Sequence, residues 1–374
     1  MSLTSQSYIV RSPGGPIKLE TIHYDRIGDH EILVQMVATS LCASDVKAVE
    51  GAFFMKPPMI LGHEGAGIVE EVGAKVTAFK RGDKVVLHYS SCRSCDACNA
   101  DGDPYCEKME QLNFGGLRED DGSGRIATTA DGQQLNCFFF GQSSMGQFAL
   151  ARETSAVKVD ATDEELKLFA SLSCGIQTGA GAVLNVCKPS PGAAFAVFGA
   201  GAVGLAAALA ARLCSASRII IVDISEEKLG LIPPGLATHT ICSLGLERGS
   251  VAAQIKAITD NEGVDYALDC AGNGVLVAEG CVAAKKRGTV VSVGGGPTRA
   301  SLYVTEMLVK GLTYRGTHQG DSVSQTFIPH LIKLWRSGQF PFDQLLSRYK
   351  LEDLALALDD LKNHKILKPL LVTS

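Results

Sequence analysis

Four cysteines, Cys92, Cys95, Cys98 and Cys106, stand in a C-x2-C-x2-C-x7-C array, with Gly102 and Pro104 in the polar stretch before the last. Four thiolates at such short spacing can close a tetrahedron around zinc without help from elsewhere in the chain. A site closed in this way keeps no position for substrate, so the array predicts a structural zinc. An iron-sulfur cluster is the rival reading, although those clusters commonly differ in spacing and carry a proline after the last ligand.

A second group of candidate ligands is scattered. Cys42-Ala43-Ser44-Asp45 precedes Gly62-His63-Glu64, and Cys174 lies far downstream. A catalytic zinc takes three protein ligands and keeps a fourth position open, and Cys42, His63 and Cys174 would supply sulfur, nitrogen and sulfur. Asp45 would accept the other ring N–H of His63 and fix its tautomer. Ser44 would sit beside the reacting oxygen and take its proton. Each residue alone reads equally well as an inert thiol or a satisfied core histidine, so the expectation rests on the set. Isolated cysteines such as Cys214, Cys270 and Cys281 read as small buried hydrophobes.

A third group is suited to phosphate. Gly199-Ala-Gly201-Ala-Val203-Gly204 follows an apolar run and opens an alanine-rich helix over Ala202 to Leu213. The glycines alone are weak evidence, since they also serve tight turns and close helix packing. Their context strengthens them: the run Arg218 to Asp223 ends in a carboxylate nineteen residues after Gly204, placed to accept hydrogen bonds from both adenosine ribose hydroxyls. The loop lets backbone approach a pyrophosphate, whose charge a helix N-terminus favours. Asp223 would repel a 2′-phosphate, which favours NAD over NADP.

The elements that must position these groups fall into two patterns. The first 150 residues are rich in glycine, β-branched residues and turns, as in Ile32 to Val37, Gly67 to Val72 and Lys84 to Leu87, which suits irregular β-structure. Thr162 and Glu165 then form a capping box, and Leu166, Phe169, Ala170 and Leu172 follow at helical spacing until Gly175, so a helix delivers Cys174 at its end. Beyond the turn at Lys188 to Gly192, strands Ala194 to Phe198, Ile219 to Asp223, Val264 to Asp269 and Thr289 to Val293 alternate with helical segments. This alternation predicts an α/β fold with a doubly wound parallel sheet. A helix-rich stretch, Gln325 to Gly338 and Leu351 to His364, is expected to return to the first lobe.

A length of 374 residues suggests two domains interleaved in sequence. The expected division is 1–177 for the catalytic domain, 178–318 for the cofactor domain and 319–374 for the return. A net charge of −5 gives no electrostatic reason to hold nucleic acid or an anionic membrane, so small molecules are the expected partners. The N-terminus lacks the basic start and apolar core of a secretory signal, and no apolar run reaches membrane-spanning length. The expectation is a cytoplasmic protein.

The pattern GHE-x2-G-x5-G-x2-V from Gly62 to Val76 resembles the zinc signature of the medium-chain alcohol dehydrogenases. The four-cysteine loop, Cys174 and the nucleotide motif follow in that family's order and spacing, so the resemblance covers nearly the whole chain. Phe138 to Gln142 and Cys174 to Gly179 resemble its aryl or benzyl alcohol branch. The resemblance implies a GroES-like irregular β-barrel catalytic domain plus a Rossmann cofactor domain, two zinc ions per chain, and NAD. It implies Cys42, His63 and Cys174 on the catalytic zinc, with Glu64 nearby as an alternative or outer ligand and Thr178 beside the nicotinamide. Lys228 would reach the ribose, and Lys368 falls where relatives often place an arginine against the pyrophosphate. Phe53, Phe54, Tyr89, Phe139 and Phe140 fall in segments that line the substrate channel of similar enzymes; the alternative reading is that most are core residues.

The implied activity is oxidation of a primary alcohol, aromatic or allylic, to the aldehyde, or the reverse. Polyol or glutathione-linked formaldehyde oxidation on the same scaffold, and a non-catalytic zinc and NAD redox sensor, are the alternatives. Family members are homodimers or homotetramers, and Ser301 to Tyr314 occupies the region through which they often join. One departure stands out: where many relatives carry a histidine that finishes proton transfer, this chain has Lys47, with Ala43 beside Cys42. Lys47 reads as an ordinary exposed lysine, leaving water or ribose to complete the transfer.

Overall fold

The computed structural model describes residues 3–53, 55–116, 118, 126–296 and 298–373. Two antiparallel-rich sheets build the first lobe. One is centred on the hairpin of Leu3–Val10 and Ile17–Tyr24, extended by Met59–Ile60, Ala127–Thr129 and Gln134–Leu135. The other has Glu31–Ser40 near its middle, with Gly65–Val72, Lys84–Leu87 and Ala156–Lys158 on one side and Lys368–Val372 and Leu346–Lys350 on the other. Phe148–Arg152 also pairs with Glu31–Ser40.

The strand Glu31–Ser40 is buried on both faces. Ile32, Val34 and Met36 point into one apolar cluster while Leu33 joins another, as the two-residue period of a strand requires. Its antiparallel partners place the site. Thr39 is in register with Gly65 and Ser40 with Leu370. The strand's exit, which leads to Cys42, therefore lies beside the entrances of two other strands, one preceded by His63 and Glu64 and the other opening at Lys368. Backbone bonds from Ser40 N to Glu64 O (2.9 Å) and from Leu41 N to Pro369 O (3.1 Å) close this junction.

The second lobe is a six-stranded parallel sheet in the order His239–Cys242, Arg218–Asp223, Ala194–Phe198, Val264–Asp269, Ala284–Ser292 and Thr313–Gly316. Ala194–Phe198 is buried throughout, as expected for a central strand covered by helices on both faces. The order reverses between Ala194–Phe198 and Val264–Asp269, and ligands bind outside the carboxyl ends of strands at such a point. The helix Ala202–Leu213 starts there. Gly199 has a left-handed φ of 105°, and a Cβ on Gly204 would stand 1.9 Å from Gly199 O, so both positions require glycine.

Three local expectations change. Thr162 and Glu165 do cap a helix, Asp163–Phe169, but the chain tightens through Ala170–Ser173, leaves helical geometry at Cys174 (φ −140°, ψ −89°) and restarts as Gly175–Gly181. Gly175 thus begins a helix instead of ending one. The last helix begins at Leu354, after a turn over Leu351–Asp353. The strands His239–Cys242 and Thr313–Gly316 have no counterpart in the sequence pattern: both are edge strands, largely exposed, and carry no apolar alternation to betray them.

Candidate active site

Cys42, His63, Glu64 and Cys174 each bring one ligand atom into a group in which all four lie within 4.8 Å of one another. His63 Nδ1 donates to Asp45 Oδ1 (3.1 Å), so its Nε2 is the atom left to coordinate. That nitrogen is buried and makes no hydrogen bond within the described residues. Asp45 is itself fixed by the backbone N–H groups of Gly62 (3.1 Å) and Cys42 (3.0 Å), which join the His63 turn to the Cys42 helix start. Two sulfurs, an orphaned imidazole nitrogen and a carboxylate form a donor set that suits zinc.

The electrostatics of the group suit a positive centre. The Cys42 thiol is held well below its usual range by a hydrogen bond from Cys174, with His63 and Lys368 adding to the effect. The same contact and burial push Cys174 up. Burial opposes a charged His63, yet Asp45 and Cys42 outweigh it and raise its pKa. Burial raises Glu64 despite the ammonium of Lys368 beside it. A cluster of buried acids that cannot all ionise together is what a dication relieves.

Glu64 faces both the metal group and Lys368. Its Oε1 accepts from Gly175 N (3.3 Å), and its Oε2 pairs with Lys368 Nζ. Lys368 is 2% exposed and also donates to Leu41 O (3.0 Å). The lysine expected against a pyrophosphate therefore has its ammonium committed to Glu64, although its side chain still borders the cleft between the lobes. Ser44 lies two residues beyond Cys42, in the first turn of the helix Ala43–Val49. Thr178 follows Cys174 by one turn, and its Oγ1 donates to Gln319 Oε1 (3.1 Å).

An aromatic wall covers the imidazole of His63. Phe140 stacks on it with centroids 4.5 Å apart, and Phe139 meets it edge-on at 5.4 Å. Phe53 packs against both phenylalanines, and Phe114, which no sequence motif marks, stacks on Phe53 at 5.1 Å. Phe54 lies outside the described residues. Tyr89 belongs to the same apolar cluster, with its hydroxyl bonded to Ser322 O (2.6 Å). The wall is held by unusual backbone: Phe138, Phe140 and Ser143 all have left-handed φ values of 51° to 62°. Such conformations cost about 1–3 kcal/mol each and persist where surrounding structure imposes them. Gln142, whose role sequence reasoning misses, accepts from Gly65 N (3.2 Å) and donates to His63 O (2.9 Å), tying the wall to the ligand turn.

The cleft between the lobes, about 420 Å³, is bordered by Cys42, Lys47, Val203, Lys228, Cys270 and Lys368, among others. Gly201 borders it too, placing the phosphate loop on the same cavity as the metal group. Asp223 closes its strand with Oδ2 accepting from Ala200 N (2.7 Å) and Oδ1 from Ser225 N (3.0 Å). Lys47 is half-buried, and its Nζ donates to Gly295 O (2.7 Å) across the cleft. It is not the free surface lysine expected, because the lobes approach closely enough for its side chain to span them. Cys270, Cys281 and Cys214 have thiols raised by burial, as inert side chains do.

Cys92, Cys95, Cys98 and Cys106 form the second group of mutually close ligand atoms. Their sulfurs stand 3.5 Å (Cys95 to Cys98) and 4.0 Å (Cys92 to Cys98) apart. Thiolates at about 2.3 Å from a tetrahedral zinc would be separated by about 3.8 Å, so the loop is shaped for the ion. Backbone N–H groups of Cys92 and Cys95 point at Cys106 Sγ (3.2 Å) and Cys92 Sγ (3.4 Å).

Comparison with known proteins agrees with this geometry. Residues 28–161 match the alcohol dehydrogenase GroES-like domain and residues 202–336 the zinc-binding dehydrogenase domain. Geraniol dehydrogenase of Castellaniella defragrans is 37% identical over 99% of this chain and 98% of its own length. The crystal structure of a zinc-binding-domain alcohol dehydrogenase protein from Burkholderia ambifaria superposes with a TM-score of 0.92, at 41% identity, over 100% of this chain and 99% of the other. That of benzyl alcohol dehydrogenase from Acinetobacter calcoaceticus gives 0.91 at 36% identity, with both chains covered in full. With its GroES-like lobe, its doubly wound cofactor lobe and its two clusters of zinc-type ligands, the chain belongs to the zinc-dependent medium-chain alcohol dehydrogenase family.

Proposed function

We propose that this protein oxidises primary aromatic or allylic alcohols to aldehydes with NAD, and catalyses the reverse reduction. The observation that carries the reading is the aromatic wall: Phe140 stacked on the metal-facing histidine, with Phe139, Phe53 and Phe114 behind it, suits a flat unsaturated alcohol more than a polyol. Relatives named for geraniol and benzyl alcohol support the same substrate class.

Cys42, His63 and Cys174 would hold the catalytic zinc, whose Lewis acidity lowers the pKa of an alcohol oxygen while oxidised nicotinamide supplies the hydride acceptor. Asp45 keeps His63 in the tautomer that presents Nε2. Ser44 Oγ takes the alcohol proton. The Lys47 ammonium has donors only and is engaged by Gly295 O, so the proton continues through water or a ribose hydroxyl. Glu64, paired with Lys368, would serve as an alternative or outer ligand of that zinc. Gly199, Gly201, Val203 and Gly204 would hold the pyrophosphate, Asp223 and Lys228 the adenosine ribose, and Thr178 would pack beside the nicotinamide. Asp223 disfavours a 2′-phosphate by charge. Cys92, Cys95, Cys98 and Cys106 would hold the structural zinc.

The proposed division of the chain is 1–177, 178–318 and 319–374. The strand Thr313–Gly316 offers an unpaired edge, and Tyr303, Val304, Leu308 and Val309 are 65–79% exposed beside it. A second copy covering this edge would give a homodimer, or a homotetramer by further pairing. Among the described residues no helix is long and apolar enough to cross a membrane; the proposed location is the cytoplasm.

Zinc content per chain, combined with NADH formation over a panel of alcohols, tests the proposal. Two zinc ions with turnover of benzylic or allylic alcohols support it. Turnover confined to polyols, or one zinc and no turnover, would move the assignment to a polyol enzyme or a sensor.

A further inference from the structure

The four-cysteine lobe reaches beyond its own metal group. Between Cys98 and Cys106 it carries Pro104 and Tyr105, and both contact the segment that leaves the carboxyl end of the strand Thr313–Gly316. Tyr105 Oη donates to Asp321 Oδ1 (2.6 Å) and accepts from His318 N (3.2 Å), while His318 Nδ1 donates to Pro104 O (2.8 Å). Asp321 is further gripped by Arg315 (2.7 Å) and by Thr317 Oγ1 (2.5 Å).

The opposite face of the same segment is bound to the metal-site helix, to its continuation and to Tyr89 of the first lobe. Gln319 Oε1 accepts from Thr178 Oγ1 (3.1 Å), Gly320 O from Asn185 Nδ2 (3.0 Å) and Ser322 O from Tyr89 Oη (2.6 Å). A Cβ on Gly181 would lie 2.3 Å from Gly320 O, so the packing leaves no slack. Residues 317–322 are therefore held between the lobe and the helix Gly175–Gly181. Tyr105 is 48% exposed, so its connection depends on the hydroxyl more than on burial of the ring.

We infer that Tyr105 is a positioning residue for the cofactor. Through Asp321 and His318 the phenol fixes residues 317–322, and through Gln319 this segment fixes Thr178 at the nicotinamide end of the cleft. The four-cysteine lobe thus serves as a clasp on the cofactor site as well as a closed loop. The inference rests on the proposed placement of the nicotinamide beside Thr178.

The test uses the zinc-loaded protein with Tyr105→Phe, Asp321→Asn and the double substitution. Amide hydrogen exchange over 317–322 without cofactor reads the clasp alone, and NADH affinity by fluorescence titration reads its consequence. Tyr105→Phe should keep the wild-type zinc content, speed exchange in this segment, and weaken NADH about three- to tenfold, the size of one lost hydrogen bond made by a half-exposed phenol. Asp321→Asn should do at least as much, and the double variant little more than the worse single one. Unchanged exchange in Tyr105→Phe would overturn the clasp. Faster exchange with NADH affinity within twofold of wild type, or fully additive losses, would overturn the link to the cofactor. Wild-type protein that takes up no NADH would remove that link together with the proposed cofactor, while the exchange result would still decide the clasp.

Discussion

Cys92, Cys95, Cys98 and Cys106 lie in one loop, and three of the four are only half-buried, whereas Cys42, His63 and Cys174 come from three distant segments and meet deep between the lobes. The first group is close in space because it is close in sequence, and the metal itself can organise it. The second is brought together by the register of Glu31–Ser40 with Gly65–Val72 and by the break in the helix at Cys174. The loop is therefore expected to depend on an ion for its fold, and the cleft group on the fold for its ion. That asymmetry fits their chemistry. A closed tetrahedron needs only its ligands, but an open position facing substrate must be held open by its surroundings.

The largest effect should separate the two groups cleanly. Cys174→Ala is expected to reduce zinc from two per chain to one and lower alcohol oxidation at least about a thousandfold, with the melting temperature nearly kept. Cys98→Ser should also remove one zinc, but with a lower melting temperature and a smaller loss of turnover. Zinc analysis, calorimetry and NADH absorbance together check the pair. Equal losses of stability in the two variants would erase the distinction between a metal-organised loop and a preformed site.

The same contrast governs what can be read from the sequence. The four-cysteine array is legible because its spacing is itself the geometry, and the phosphate loop because Gly199 to Gly204 sits between a strand and a helix that announce themselves. Cys42, His63 and Cys174 are legible only as a set. Gln142, Phe114 and Tyr105 do not stand out. Their roles come from contacts such as Gln142 with His63 and Tyr105 with Asp321, 79 and 216 positions apart, which no local period encodes. Lys47 reads as exposed because its partner, Gly295, is 248 positions away. The edge strand Thr313–Gly316 is hidden for another reason: all four of its residues face solvent, so no alternation marks it.

A preformed site should also depend on groups that never touch the ion. Asp45 has both carboxylate oxygens occupied, by His63 and by the backbone of Cys42 and Gly62. Asp45→Asn should weaken catalytic zinc about 10- to 100-fold in competition with a chelator, leaving the loop zinc untouched. A variant that lost neither affinity nor activity would mean that His63 is oriented by packing against Phe140 alone.

The phosphate loop offers a local counterpart within the cofactor site. Asp223 ends its own strand and is held by Ala200 and Ser225, so its substitution should alter the choice of cofactor without disturbing either metal. Asp223→Gly is expected to shift the ratio of kcat/KM for NAD over NADP toward NADP by about tenfold, the cost of one well-placed charge-assisted contact with the ribose. An unchanged ratio would show that the carboxylate serves the glycine loop alone.

The smallest expected effect belongs to the most widely separated contact. Lys47, on the helix after Cys42, reaches Gly295 at 2.7 Å and so bridges the walls of the cleft proposed to hold the dinucleotide. Lys47→Met keeps the aliphatic stem and its packing but removes the donor, so the lobes should separate more readily. NADH release, followed by stopped-flow fluorescence, is expected to quicken about two- to fivefold, a single hydrogen bond between partly exposed groups being worth about 0.5–1 kcal/mol. If cofactor release limits turnover, kcat rises with it while the pH profile of hydride transfer stays in place. A shifted pH profile with unchanged release would point the other way, to Lys47 as a proton carrier beyond Ser44, and would make the bond to Gly295 incidental.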